Sequence, residues 1–307
     1  SGWWNLYRSS GGETKALYPM DAEFGDPQWV FGQSTYGVLD SATLIATFSK
    51  DGQTHLGKLA IASGAWSAID VPHTSIGSIQ IAGDRLVYMG GSAERSSELL
   101  SYDLESNALE VVAQSSREGI DARYISRAEA ITYPSANGRG AYAFYYAPVN
   151  PEFAGPQDAK PPLLVLSHGG PTSAADDVLD PRILYWTSRG FAVVDVNYGG
   201  STGYGRTYRN ALRGQWGIVD VEDCVYAARY LVDRGDADGE RWRRWRLRMC
   251  SRPAHRITAL RIWRSSRGIR TSLNRAISIR WWVRIPRRRR CTMRGRRFII
   301  LTAWIVR

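Results

Sequence analysis

Pro162-Leu163-Leu164-Val165-Leu166-Ser167-His168-Gly169-Gly170-Pro171 is the stretch on which the rest of the chain turns. Its first six residues form a short, continuous apolar run, which suits a strand buried on both faces of a parallel sheet. Two glycines just past a strand end let backbone N–H groups approach a bound oxygen closely. The plain alternative is a tight turn with no chemistry. Working outward, a helical stretch at about Pro181–Arg189 leads to Gly190 and a second apolar run, Phe191-Ala192-Val193-Val194-Asp195-Val196. A further helix is predicted at about Val219–Asp233, with Val221, Val225, Ala228 and Val232 on one face. This alternation implies parallel βαβ units.

Upstream, between Ser1 and about Tyr124, short strands alternate with turn signals. Thr43–Ser49 ends at Lys50-Asp51-Gly52, and Ile79–Ala82 and Leu86–Met89 flank Gly83-Asp84. Asp-Gly pairs between β-rich runs signal hairpins, because glycine supplies the positive φ such turns need. A motif recurs at Asn5-Leu6-Tyr7, His55–Leu59 and Glu98–Leu104, followed by second strands at Lys15–Tyr18, Ala65–Asp70 and Ala108–Val112. Leu6, Leu56 and Leu99 are spaced by 50 and 43 residues. A period of roughly 40–50 residues with several strands per unit is the signature of a β-propeller; an unrelated β-sandwich is the alternative.

The loop Gly199-Gly200-Ser201-Thr202-Gly203-Tyr204-Gly205 also follows a strand, but it fits neither Gly-x-Gly-x-x-Gly nor a P-loop, and no lysine follows it. Taken together, the β repeats, Ser167-His168-Gly169-Gly170-Pro171-Thr172, Asn197–Arg206, Gln215-Trp216-Gly217 and Asp220-Val221-Glu222-Asp223 resemble the prolyl oligopeptidase family of serine peptidases, in the acylaminoacyl-peptidase/dipeptidyl-aminopeptidase branch. The resemblance covers residues 1–240 and is strongest from about Arg127. It implies a propeller capping an α/β-hydrolase domain, short peptides as substrates, no cofactor and no metal. In that fold a His-Gly-Gly turn supplies part of the oxyanion hole, which puts Gly169 and Gly170, flanked by His168 and Pro171, in that role.

The triad does not carry over. The family places a Gly-x-Ser-x-Gly elbow after the 219–233 helix and the next strand, a few residues past Glu240, and the motif is taken to be absent from the whole chain. The fold's chain order is Ser, Asp, His, so His168 lies too early to be the base. His55 and His73 fall in the β region, as surface or turn histidines, and His255 has no acid after residue 240 to serve it.

Residues 241–307 are unlike the rest. They hold 22 arginines and six of the chain's 12 tryptophans, with no lysine, aspartate or glutamate. Residues 1–240 therefore carry 18 basic against 29 acidic side chains, and the formal charge of +11 comes from the tail. An Arg/Trp arm suits nucleic acid through phosphate neutralisation and stacking. No sustained amphipathic helical pattern suits a membrane surface.

The genetic code favours a third reading, translation out of frame. Regrouping the codons of 271–279 permits His-Lys-Phe-Glu-Ser-Arg-Tyr-Leu-Asp. The same shift over 261–270 permits Ser-Asp-Leu-Ala-Leu-Leu-Ala-Arg-Asp-Thr, and over 282–286 Gly-Pro-Tyr-Pro. These strings resemble the missing part of the hydrolase domain, in order. In neither shifted frame do residues 241–258 permit Gly-x-Ser-x-Gly.

The expected fold class is β followed by α/β: blades of a partial propeller over 1–124, the first part of an incomplete α/β-hydrolase domain over 125–240, and an out-of-frame tail over 241–307. The expected function is serine peptidase by descent, with this chain itself inactive and folding poorly. The opening at Ser1-Gly2-Trp3-Trp4, already strand-like, implies a start further upstream. Two alternatives stand: a nucleic-acid-binding protein using the tail, and a noncatalytic peptide-binding propeller. No specific nucleic acid is expected, since a polyarginine tail binds nonspecifically. Three cysteines form no disulfide framework or metal spacing, and no run reaches the ~20 apolar residues of a membrane span, so a cytoplasmic setting is expected.

Overall fold

The computed structural model describes residues 2–115, 119–170 and 172–240. The front begins with a hairpin, β1 (Tyr7–Ser10) and β2 (Glu13–Ala16), paired antiparallel on their own. Two four-stranded antiparallel sheets follow. In the first, β3 (Tyr36–Val38), β4 (Thr43–Lys50), β5 (Gln53–Ala60) and β6 (Trp66–Ala68) lie in chain order. In the second, β7 (Ser75–Ala82), β8 (Arg85–Ser92), β9 (Arg95–Asp103) and β10 (Leu109–Gln114) do the same.

The predicted turns form as the glycine argument requires. Lys50 pairs with Gln53 across Asp51 and Gly52, both at positive φ. Ala82 pairs with Arg85 across Gly83 at φ +63° and Asp84. Ile45, Leu56, Ile76, Ile79, Leu86, Tyr88 and Leu100 make one buried cluster between the two sheets. The hairpin side packs separately, with Leu6, Phe24, Leu44, Ala46 and Leu59 buried together. The repeats are thus unequal: the first has two strands, the later two have four.

The rest folds on a second kind of sheet. Here β11 (Glu129–Pro134) and β12 (Gly140–Tyr146) form a hairpin, β13 is Leu163–Ser167 and β14 is Ala192–Asn197. The order is β11-β12-β14-β13. β13 and β14 run parallel, joined by α1 (Pro181–Thr187), as the βαβ reading requires. The sheet is mixed, however, because β12 pairs antiparallel with β14. The 129–146 hairpin lies outside the predicted alternation, since its alternating burial looks no different from the strands of the front.

α2 (Gly205–Asn210) and α3 (Val219–Arg234) complete the described chain. Asp180 caps α1 through the Arg182 N–H, with Pro181 preset for the first turn. Gly235 at φ +89° ends α3.

The face of α3 differs from the prediction. Its buried residues are Asp220, Asp223, Cys224, Ala227, Ala228 and Leu231, while Val221, Val225 and Val232 are half-buried. Ala192, Val194 and Val196 pack toward it in one cluster with Tyr133, Ala143 and Leu231. On the other side of the sheet Val193 joins Phe144, Tyr146 and Ile183. Strand β14 is therefore buried on both faces, as its unbroken apolar run implies.

Candidate functional site

The predicted turn sits at the end of β13, where the chain leaves the sheet at His168-Gly169-Gly170. Gly170 is held to glycine by space, since a Cβ there would lie 2.5 Å from the Tyr198 hydroxyl oxygen. Among the described residues neither the Gly169 nor the Gly170 N–H has a hydrogen-bond acceptor.

His168 anchors the turn. Its Nδ1 is 2.7 Å from the Gly169 carbonyl oxygen, which only accepts, so Nδ1 carries a proton. Its Nε2 is 2.6 Å from Ser201 Oγ. The ring stacks on Tyr198 at 4.4 Å, and the Tyr198 hydroxyl donates back to the His168 carbonyl at 3.3 Å. Burial pushes the His168 pKa down and the Tyr198 phenol well up, so both side chains are held neutral.

The loop after β14 is clasped to this turn and to α3. Asn197 is fully buried; its Oδ1 accepts from the Ala175 N–H at 2.7 Å and its Nδ2 donates to Tyr204 at 3.0 Å. Thr202 N–H donates to the Ser173 carbonyl at 2.9 Å. Asp223 on α3 accepts from the Gly199 N–H at 2.7 Å and from Ser135 and Arg139 on the 129–146 hairpin and its turn.

Gly199-Gly200-Ser201-Thr202-Gly203 has the Gly-x-Ser-x-Gly spacing, so the expectation that this motif is absent from the whole chain is wrong. The structure shows why these residues are not an elbow. An elbow serine sits on a strained turn with its Oγ exposed. Ser201 is fully buried, it is not among the positive-φ residues, and its Oγ donates to the Tyr198 carbonyl at 2.8 Å. The single hydroxyl proton faces two acceptors inside the fold, Nε2 and that carbonyl, and none is left for a substrate.

The other histidines separate. His55 lies exposed on β5, stacked on Phe48, as expected of a surface residue. His73 corrects the sequence reading: it precedes β7, as a turn residue does, but is buried rather than on the surface. Its Nδ1 is 3.2 Å from the Tyr88 hydroxyl and its Nε2 is 3.6 Å from Glu98. Burial against Gly90 makes this possible, for a Cβ at Gly90 would come within 2.9 Å of the His73 ring. His255 and Pro171 lie outside the described residues. Among the described residues no group of His, Cys, Asp or Glu is arranged to hold a metal ion, and no helix is long and apolar enough to cross a membrane.

Residues 178–245, from the strap before α1 through α3, match the model of the prolyl oligopeptidase family. A puromycin-hydrolysing peptidase of Mycobacterium tuberculosis superposes with a TM-score of 0.74 at 38% identity, over 77% of this chain. The chain is similar to proteins of the prolyl oligopeptidase family. Family relatives include an acylamino-acid-releasing enzyme of Arabidopsis thaliana, 36% identical over 80 residues, and dipeptidyl aminopeptidase BIII of Pseudoxanthomonas mexicana, 36% identical over 81 residues. Each alignment covers 26% of this chain. The chain spans 10% and 12% of those two family members and 36% of the puromycin-hydrolysing peptidase. A prolyl endopeptidase at 18% identity and a TM-score of 0.60 shares the fold.

Proposed function

We propose that this chain descends from a serine peptidase of short peptides, keeps the oxyanion turn of that enzyme, and does not itself hydrolyse peptides. The observation that carries the reading is the pair Gly169 and Gly170, held at the end of a half-buried parallel strand with N–H groups that have no acceptor among the described residues. Donors aimed at a developing oxyanion are the part of acyl transfer that the backbone supplies. The two four-stranded sheets support blades of a propeller ahead of the hydrolase sheet, with the domain change near residue 124.

Hydrolysis through an acyl-enzyme also needs an activated nucleophile, a base to take its proton and return it to the leaving amine, and an acid to orient the base. Ser201 and His168 touch, but the serine is enclosed and its proton is held by the fold. The tail contains no aspartate or glutamate to complete a Ser-Asp-His order. We read residues 241–307 as an out-of-frame translation of the remaining hydrolase sequence.

The test is labelling of the full chain with a fluorophosphonate, alongside hydrolysis of aminoacyl p-nitroanilides. No labelled serine and no hydrolysis above buffer is the expected result. A fluorophosphonate adduct mapped to any serine overturns the inactivity. Sequencing the coding DNA across codons 230–310 addresses the tail: a recovered in-frame Gly-x-Ser-x-Gly with acidic residues downstream supports the frame shift, and acid-free sequence in every frame sinks it.

A further inference from the structure

Away from the Gly169–Gly170 turn, a cleft of about 330 Å³ opens between the first residues of the chain, the 24–28 loop and the start of α2. Its walls are Trp3, Trp4, Tyr7, Phe24 and Tyr36, and two charged residues line it, Asp26 and Arg206.

The walls are fixed in place. Arg206 N–H donates to the Gly2 carbonyl at 2.7 Å, and Phe24 N–H donates to the Trp4 carbonyl at 2.7 Å. Thr35 Oγ1 holds the Phe24 carbonyl at 2.7 Å. Trp3 packs on Gly205, where a Cβ would sit 3.2 Å from the indole. The neighbouring charges are spoken for: Glu23 accepts from Arg209 at 2.8 Å and from the Trp4 N–H at 2.8 Å, and the Arg209 guanidinium lies 3.7 Å over the Trp4 ring.

Asp26 and Arg206 are different. Among the described residues neither side chain has a hydrogen-bond or ion-pair partner. Both residues are exposed to solvent in part, and the burial of the rest of the Asp26 carboxylate raises its pKa above the ordinary value. A carboxylate beside aromatic faces attracts an ammonium through both its charge and the ring quadrupoles. The guanidinium on the α2 side suits a carboxylate. The volume lies at the small end of ligand pockets, about 300–1,000 Å³.

We propose that this cleft binds a short zwitterionic peptide, with its ammonium on Asp26 and its carboxylate on Arg206. The site needs no nucleophile and contains no residue of the turn, so it stands or falls separately from the peptidase reading.

The experiment is a ligand-observed NMR titration of the full chain with Ala-Phe, N-acetyl-Ala-Phe and Ala-Phe amide. Saturable binding of Ala-Phe, weakened about tenfold or more by acetylation and similarly by amidation, is the expected result. Asp26→Asn should weaken Ala-Phe to the level of the acetylated peptide without weakening the acetylated peptide further. Arg206→Gln should do the same for the amide. The ligand-side changes need no variant, so a misfolded mutant does not blunt the test. Equal binding of all three peptides, no saturable binding of Ala-Phe, or an Asp26→Asn protein that still discriminates against acetylation overturns the proposal. None of these outcomes bears on the fluorophosphonate result.

Discussion

The loops behind the Gly169–Gly170 turn and the cleft at the front of the chain handle polar groups in opposite ways. Around the turn, Asn197, Tyr198, Ser201 and Asp223 are buried and each is hydrogen-bonded. In the cleft, Asp26 and Arg206 have no side-chain partner among the described residues. Buried polar groups that are satisfied within the chain hold a shape, whereas a charge left unpaired in an open cleft is available to something else. The contrast assigns scaffolding to the first region and recognition to the second.

The largest expected effect tests the clasped side. Asp223→Ala would leave the Arg139 guanidinium and the buried Gly199 N–H without their acceptor, and should cost roughly 3–5 kcal/mol in urea unfolding. A cost below about 1 kcal/mol would mean that the 197–204 loop does not depend on α3 for its position.

Asp195 sharpens the comparison, because it lies in the clasped region yet breaks its rule. It sits on the apolar face of β14, opposite Phe144 and Leu166, and its Oδ1 is buried without a partner among the described residues. Burial, with Asp176 and Asp180 nearby, pushes its carboxyl up to about 7. Because the folded pKa is above the unfolded value, the native state holds the extra proton between pH ~4 and 7. Stability therefore falls as pH rises through that window. Asp195→Asn should stabilise the protein by about 2 kcal/mol at pH 8 and by nothing near pH 4, as read from Tm against pH. A pH-independent difference would remove Asp195 from the titrating groups.

The smallest effect is on the cleft side. With no ligand present, Asp26→Asn should leave stability at pH 8 unchanged or raise it by up to about 1 kcal/mol, since the carboxylate has nothing to lose. A loss of more than about 1 kcal/mol would place Asp26 with the scaffold and dissolve the contrast.

Much of the architecture was legible in local sequence. The continuous runs at 162–167 and 191–196 imply strands covered on both faces; they form the parallel pair β13 and β14, but only β14 is buried, while β13, last in the sheet order, is half-buried along its length. Asp51-Gly52 and Gly83-Asp84 imply hairpins because only certain residues take positive φ cheaply, and both turns form. The α3 stripe was misplaced for a reason the helix itself does not contain. Asp220 and Asp223 look like solvent residues until Ser135 and Arg139, 88 and 84 positions away, meet Asp223 across the fold.

His168 and Ser201 give the same lesson. They are 33 residues apart, and nothing in either motif announces that Nε2 and Oγ meet. Nor does the Gly-x-Ser-x-Gly spacing reveal that its serine faces inward. By itself the sequence determined the strand runs, the turns, the glycine pair after β13 and the charge break at residue 241, because these follow from short-range sterics, apolar periodicity and composition. Only the tertiary structure decided which carboxylates are clasped and which stand unpaired, because hydrogen bonding and desolvation depend on neighbours that the chain brings together from far apart.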